Sequence, residues 1–184
     1  MDYSEFSQLI QDCTECPLHK HRLNAVVGEG NLDARIMIVG EAPGKQEDIQ
    51  NRPFIGRSGQ LLRKILRDVG FSLKDIYITN IVKCRPPNNR DPFGIERNTC
   101  GFYLLEQIKT YIQPEVIIGV GRISSDILKK GYFQKRDHGT IFEFKNYKFM
   151  GVYHPAAGLR NPIWKQYLID DLTKLKDYLN YDNR

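Results

Sequence analysis

Two periods of hydrophobic residues alternate along the chain. Near the start, Phe6, Leu9, Ile10 and Cys13 recur at i, i+3, i+4 and i+7, which predicts a short amphipathic helix. Short, continuous apolar runs then appear at Ile36–Val39, Tyr77–Val82 and Val116–Val120, each rich in β-formers and ended by a turn or a glycine. Between these runs the period becomes helical. Ser58 is a candidate cap for a helix that turns Leu61, Leu62, Ile65, Leu66 and Val69 inward and stops at Gly70. Phe102, Leu105, Ile108 and Ile112 mark a second helix, ended by Pro114, and Asn161-Pro162 opens a last one through Leu168, Leu172, Leu175 and Leu179. The stretch IFEFKNYKFMGVYH alternates as a hairpin does, and its second arm, Tyr147–Tyr153, is placed to join the sheet.

Strands alternating with helices predict an α/β protein: a three-layer α/β/α sandwich around a central, mostly parallel, four-stranded sheet, in a single domain over residues 1–184. In such sheets ligands bind outside the carboxyl ends of the strands. That rule selects Glu41 in IMIVGEAPGKQED, Asn80 in YITNIVKCRPP, Gly121 and Arg122 after the third run, and His154 in VYHPAAGLRNP. An acid, an amide and an imidazole are thereby expected on one rim.

Charge adds a mild bias. The chain carries 27 Lys and Arg against 22 Asp and Glu, a net +5, which favours an anionic partner such as nucleic acid. The glycine turn after the first strand runs the other way, with Glu41, Glu47 and Asp48 offset only by Lys45. It also has neither GxxxxGK[ST] nor GxGxxG, so a nucleotide-phosphate cradle is a poor reading. No apolar run approaches the ~18 to 20 residues that span a bilayer. MDYSEFSQLI has no basic segment before an apolar one. A cytoplasmic monomer with no membrane partner is expected.

Four cysteines suggest a second site. Cys13 and Cys16 have chelate spacing and are followed by Pro17, whereas Cys84 and Cys100 stand sixteen residues apart beside loops. A cytosolic chain is not expected to keep two structural disulfides. Four thiolates suit zinc or an iron–sulfur cluster, and the spacing leaves both open.

The segments CTECPLHKHR, VVGEGN, VGEAPGKQED, RPFIGRSGQLL, TNIVKCRPPNNRDP and HPAAGLRNP follow one another in this order. Together they resemble the family 4 uracil-DNA glycosylases, the iron–sulfur branch of their superfamily, over nearly the whole chain. The resemblance implies a DNA repair glycosylase that flips uracil out of DNA, hydrolyses its N-glycosidic bond and leaves an abasic site. It implies a 4Fe-4S cluster on Cys13, Cys16, Cys84 and Cys100, with a structural role. Asn80 would pair with uracil N3–H and O4, since an amide offers an acceptor and a donor side by side. Phe54 would stack on the base. His154 would donate to O2, as a neutral or a charged imidazole, assisted by main-chain N–H groups of the Gly40–Ala42 turn. Glu41 would orient water or counter the cationic sugar, and Glu47 would lie near C5 and exclude a methyl group. For DNA, Leu159 would wedge into the stack with Arg160 near a phosphate, Lys83, Arg85 and Arg90 would line the strand path, and Ser58 or the Gly56–Gly59 turn would bind phosphate through backbone N–H groups at a helix start. The arginine-rich insertion of a covalently uracil-trapping relative is missing between Cys84 and Cys100, which implies a turnover enzyme. The rival expectation is a non-catalytic nucleic-acid-binding module stapled by a metal or cluster.

Overall fold

The computed structural model describes residues 1–181, and these build one six-stranded sheet between two helical layers. In chain order the strands are β1 (Glu29–Gly30), β2 (Ile36–Gly40), β3 (Ile76–Asn80), β4 (Val116–Val120), β5 (Ile141–Glu143) and β6 (Lys148–Val152). They lie side by side as β1-β3-β2-β4-β6-β5. The pairs β3–β2, β2–β4 and β4–β6 are parallel, and only the two edges, β1 on β3 and β5 on β6, are antiparallel.

The expected parallel four-strand centre is present, but the sheet count is corrected from four to six. β1 is only two residues long and has no periodicity to read, while the first arm of the expected hairpin pairs as β5 and adds the opposite edge. The second apolar run also ends as a strand at Asn80 rather than Val82, because the chain turns there and Ile81 and Val82 donate their N–H groups to Gly40 and Glu41.

Strand alternation divides the core in two. Met37, Val39, Tyr77, Ile117 and Phe149 face α1 (Tyr3–Asp12) and α4 (Gly94–Glu106), whose Phe6, Ile10 and Leu104 complete that layer. Ile36, Ile38, Ile76, Ile78, Val116, Ile118 and Met150 face α3 (Arg57–Val69) and α8 (Pro162–Tyr178), through Leu62, Ile65, Leu66, Leu168, Leu172 and Leu175. Each such buried aliphatic side chain contributes roughly 1.5–3 kcal/mol, enough to fix the register of every strand and with it the residues at the strand ends.

Two helical expectations are adjusted and one is met. Ser58 lies inside the first turn of α3, whose cap is Gly56. Asn161 does cap α8, accepting from the Ile163 N–H at 2.9 Å ahead of Pro162. In the helix before Pro114, Phe102 and Leu105 are exposed, and the inward residues are Cys100, Leu104, Ile108 and Ile112. Their four-residue spacing follows from a wider π-helical turn over Gln107–Ile112, which shifts the buried stripe away from a regular 3.6 period. The shorter helices are α2 (Lys45–Gln50), α5 (Arg122–Leu128), α6 (Gln134–Asp137) and α7 (Pro155–Gly158).

Candidate active site and thiol cavity

A cleft of about 540 Å³ opens at the carboxyl ends of the parallel strands. Glu41, Asn80 and His154, separated by more than a hundred residues of chain, all line it, so the expected convergence occurs. Ala42, Glu47, Phe54, Ser58 and Arg160 line it too.

The floor is built by close approach. Asn80 ends β3 and is 2% exposed. Its neighbour across the ladder is Gly40, where a Cβ would stand 2.3 Å from Asn80 Oδ1 and 2.6 Å from the Phe54 ring. Only glycine at 40 lets the amide and the ring share this floor. Phe54 has φ 52, an unusual conformation for a bulky residue, and its main chain rests on Gly59, where a Cβ would come within 2.1 Å of the Phe54 carbonyl carbon. Glu47 holds this turn in place: its Oε1 accepts from the N–H groups of Ile55 at 3.0 Å and Gly56 at 2.8 Å. Arg63 Nε donates to the Phe54 carbonyl at 2.9 Å from the other side. No protein group among the described residues hydrogen-bonds the Asn80 side-chain amide.

Glu41 and His154 are tuned in opposite directions. Burial pushes the Glu41 carboxyl up to about 7, and the Asp91 carboxylate adds to the rise against Arg97 and Arg122. Burial brings the His154 imidazole down to about 4, with Arg160 adding to the fall and Glu47 opposing it. His154 Nδ1 accepts from the Ala156 N–H at 3.1 Å, which places the ring proton on Nε2. Near neutral pH the imidazole is therefore an uncharged donor, which decides between the two states left open by the sequence. Glu41 and Ala42 give their N–H groups to no backbone carbonyl among the described residues.

Other residues were less well anticipated. Lys83 is corrected outright: it is 1% exposed, and Nζ donates to Thr79 Oγ1 at 2.7 Å, the Asn80 carbonyl at 2.7 Å and Gln107 Oε1 at 2.6 Å. A basic residue beside CRPP reads as surface only until the turn after β3 folds it under the strand. Arg85 is half-buried and donates to Asn89 Oδ1 at 2.7 Å. Arg90 lines the cleft, paired with Glu96 at 2.7 Å. Leu159 is exposed, in a shallow groove beside the cleft that it shares with Ser58 and Arg160. The sequence reading missed Pro86, Asn89 and Asp91 as cleft residues; the proline-bracketed loop PPNNRDP, close after Asn80, was the available signal.

The four cysteines line a second, small cavity, together with Ile10, Arg22, Lys83 and Tyr103. Arg22 donates to Cys84 Sγ at 2.9 Å and the Lys83 main-chain N–H to Cys100 Sγ at 3.2 Å. Burial raises the Cys16 and Cys84 thiols and takes Cys100 to about 12. Four thiolates would share this cavity only around a cationic centre. Among the described residues, no three His, Cys, Asp or Glu side chains are gathered as the shell of a single metal ion.

Comparison with known proteins gives a consistent result. Residues 27–176 match the model of the Uracil DNA glycosylase superfamily. The chain is 43% identical over 178 residues to the Type-4 uracil-DNA glycosylase of Thermotoga maritima, covering 94% of this chain and 92% of that one. It is 42% identical to the Type-4 enzyme of Saccharolobus solfataricus, covering 93% and 83%. The similarity to the Type-5 uracil-DNA glycosylase of Thermus thermophilus is lower, 28% over 192 residues. With its strand-end cleft, its four-cysteine cavity and these relatives, the chain belongs to the type-4 group of the uracil-DNA glycosylase superfamily.

Proposed function

We propose that this protein holds an everted uracil in the strand-end cleft and hydrolyses its N-glycosidic bond, releasing free uracil and leaving an abasic site in DNA. The carrying observation is Asn80, a nearly fully buried residue whose amide lines the cleft with no hydrogen-bond partner among the described residues. An amide that faces the cleft and is not taken up by the protein is free to pair with a ligand that has complementary edges. Uracil offers N3–H to the amide oxygen and O4 to the amide nitrogen. Cytosine puts an amino group where O4 would be, so donor meets donor.

Bond cleavage leaves positive charge on the sugar and negative charge on the departing base. In our reading the Nε2–H of His154 donates to uracil O2 as that charge grows, with the Glu41 and Ala42 N–H groups as further donors. A neutral imidazole suits this role, because it stabilises the anion without first binding a proton from solution. Glu41, once ionised, orients the water whose oxygen adds to C1′ and attracts the cationic sugar. The elevated Glu41 carboxyl supports that assignment: it takes up a proton readily near neutral pH. Phe54 stacks on the ring, and Glu47, beside it, restricts the space at C5. Arg160, Ser58 and Arg85 contact phosphates while Leu159 fills the gap left by the base. The carboxylates of Glu41 and Glu47 count against a nucleotide-phosphate site here.

Cys13, Cys16, Cys84 and Cys100 would hold a 4Fe-4S cluster, a choice of cofactor supported by four thiols, two buried and two half-buried, that line one cavity. Bound there, it would supply a cross-link between the end of α1 and the loops around α4. Glycosidic hydrolysis transfers no electron.

The test is incubation with an oligonucleotide carrying one uracil, followed by alkali. Strand scission at the uracil position is expected; binding without an abasic site would replace the enzyme reading with that of a DNA-binding module.

A further inference from the structure

Lys83 occupies a position that none of the roles above uses. Its side chain runs back under the end of β3, and Nζ reaches the carbonyl of Asn80 itself at 2.7 Å and the hydroxyl of the preceding Thr79 at 2.7 Å. Thr79 Oγ1 in turn donates to the Val27 carbonyl at 2.8 Å. The third acceptor is Gln107 Oε1 at 2.6 Å, and Gln107 Nε2 donates to the Val27 carbonyl at 3.0 Å and to Tyr77 Oη at 3.2 Å. Tyr77 Oη meets Tyr3 Oη from α1. Lys83, Thr79 and Gln107 are all 0–1% exposed, so the network is dry and its members have no solvent to turn to. Gln107 enters it from the π-helical turn, the irregularity that breaks the helical period.

A strand that ends in mid-core leaves its last carbonyl without a ladder partner. At Asn80 that carbonyl belongs to the residue whose side chain forms the cleft floor. Lys83 Nζ supplies a donor to that carbonyl, and a shift of the residue-80 peptide plane would carry the Asn80 side chain with it. The Lys83 main-chain N–H donates to Cys100 Sγ. One side chain and one main-chain N–H of the same buried residue thus join the thiol cavity to the base-reading floor.

We propose that Lys83 is a positioning residue for Asn80, and that through it the order of the thiol cavity is transmitted to base recognition. This rests on the assignment of Asn80 to uracil. The consequence is that damage to the cavity lowers affinity for the base itself, and not only for the DNA backbone.

The experiment uses the full chain and compares wild type, Lys83→Met, Thr79→Val and Asn80→Ala. Free-uracil affinity is measured by calorimetry, kcat and KM on uracil-containing DNA by single-site cleavage, and folding by thermal melting and visible absorption. A misaimed recognition group costs about ten- to a hundredfold. Lys83→Met is expected to weaken free-uracil binding and lower kcat by such a factor with KM little changed, and Thr79→Val to do so several-fold while melting as wild type. Folded Lys83→Met with wild-type uracil affinity and kcat overturns the proposal. A raised KM with unchanged kcat also overturns it, because that restores a DNA-contact role. If Lys83→Met fails to fold, Thr79→Val decides: wild-type uracil affinity in that variant makes the network purely structural and overturns the proposal. Asn80→Ala separates the two layers of argument. Should it bind free uracil as wild type does, the reading of the cleft fails first, whatever Lys83 does.

Discussion

The cleft and the thiol cavity both draw on the segment that follows β3, yet they treat polar groups in opposite ways. In the cleft, the Asn80 amide has no protein partner among the described residues, and the ring proton of His154 sits on Nε2, the nitrogen not used by the Ala156 N–H. In the cavity, sulfur atoms already receive donors, Arg22 on Cys84 and the Lys83 main chain on Cys100. A site that turns a small molecule over must leave hydrogen bonds unmade; a site that ties chain segments together satisfies its groups internally. Substitutions in the two regions should therefore differ in scale: those in the cleft strike the reaction directly, those in the cavity mainly stability, with a smaller loss passed to the base through Lys83.

The largest loss is expected at His154. His154→Ala should lower kcat by about a hundred- to a thousandfold, the usual cost of removing a preorganised donor to a developing oxyanion. DNA affinity, read by fluorescence anisotropy, should stay near wild type; near-normal turnover would remove His154 from the chemistry. Next comes Asn80→Asp, which changes which edges the floor accepts. Its uracil rate should fall by about ten- to a hundredfold while cytosine excision becomes measurable, and retained uracil-only cleavage would contradict the role given to the amide.

Glu41→Gln should cost about tenfold in kcat above pH 7, less than the ~10²–10⁴-fold of a full general base, because the amide can still orient the water. In wild type the rate should climb as pH rises through about 7, where the Glu41 carboxyl ionises, and this limb should vanish in the variant. His154, held near 4, cannot be its source. Stability should show the reverse sign. A carboxyl raised on folding favours the folded state when protonated, and this contribution fades as pH rises from its ordinary value through about 7. Glu41→Gln should accordingly raise Tm more at pH 8 than at pH 5, and equal shifts at both would argue against a buried, reluctant carboxylate.

The smallest effect on the reaction is expected from the cavity's more accessible thiols. Cys13→Ala should abolish any visible absorption and lower Tm by several degrees, while kcat at a temperature where the variant is folded stays within about tenfold. A loss matching that of His154→Ala would place the cysteines in the chemistry and erase the distinction between the two regions.

Much of this arrangement was legible in the chain. The parallel strands announced themselves because burial on both faces makes them continuous apolar runs, and the strand-end rule then located Glu41, Asn80 and His154. What escaped was set by tertiary detail. β1 is too short to carry a period, the π-helical turn rotates the buried stripe of α4 away from Phe102 and Leu105, and Lys83 looked like a surface cation because its three acceptors lie on β3 and Gln107. The state of His154 was equally invisible, since it depends on one main-chain N–H two residues onward.

Glu47 lines the cleft and anchors Ile55 and Gly56, so with the proposed role at the edge of the base it would carry two tasks on one carboxylate. A smaller residue there would make space for a bulkier pyrimidine but would also unmoor the turn that presents Phe54. Broader substrate range and a firm aromatic seat cannot be selected independently at this position, so tolerance of thymine would have to arise through paired changes in the 53–56 turn.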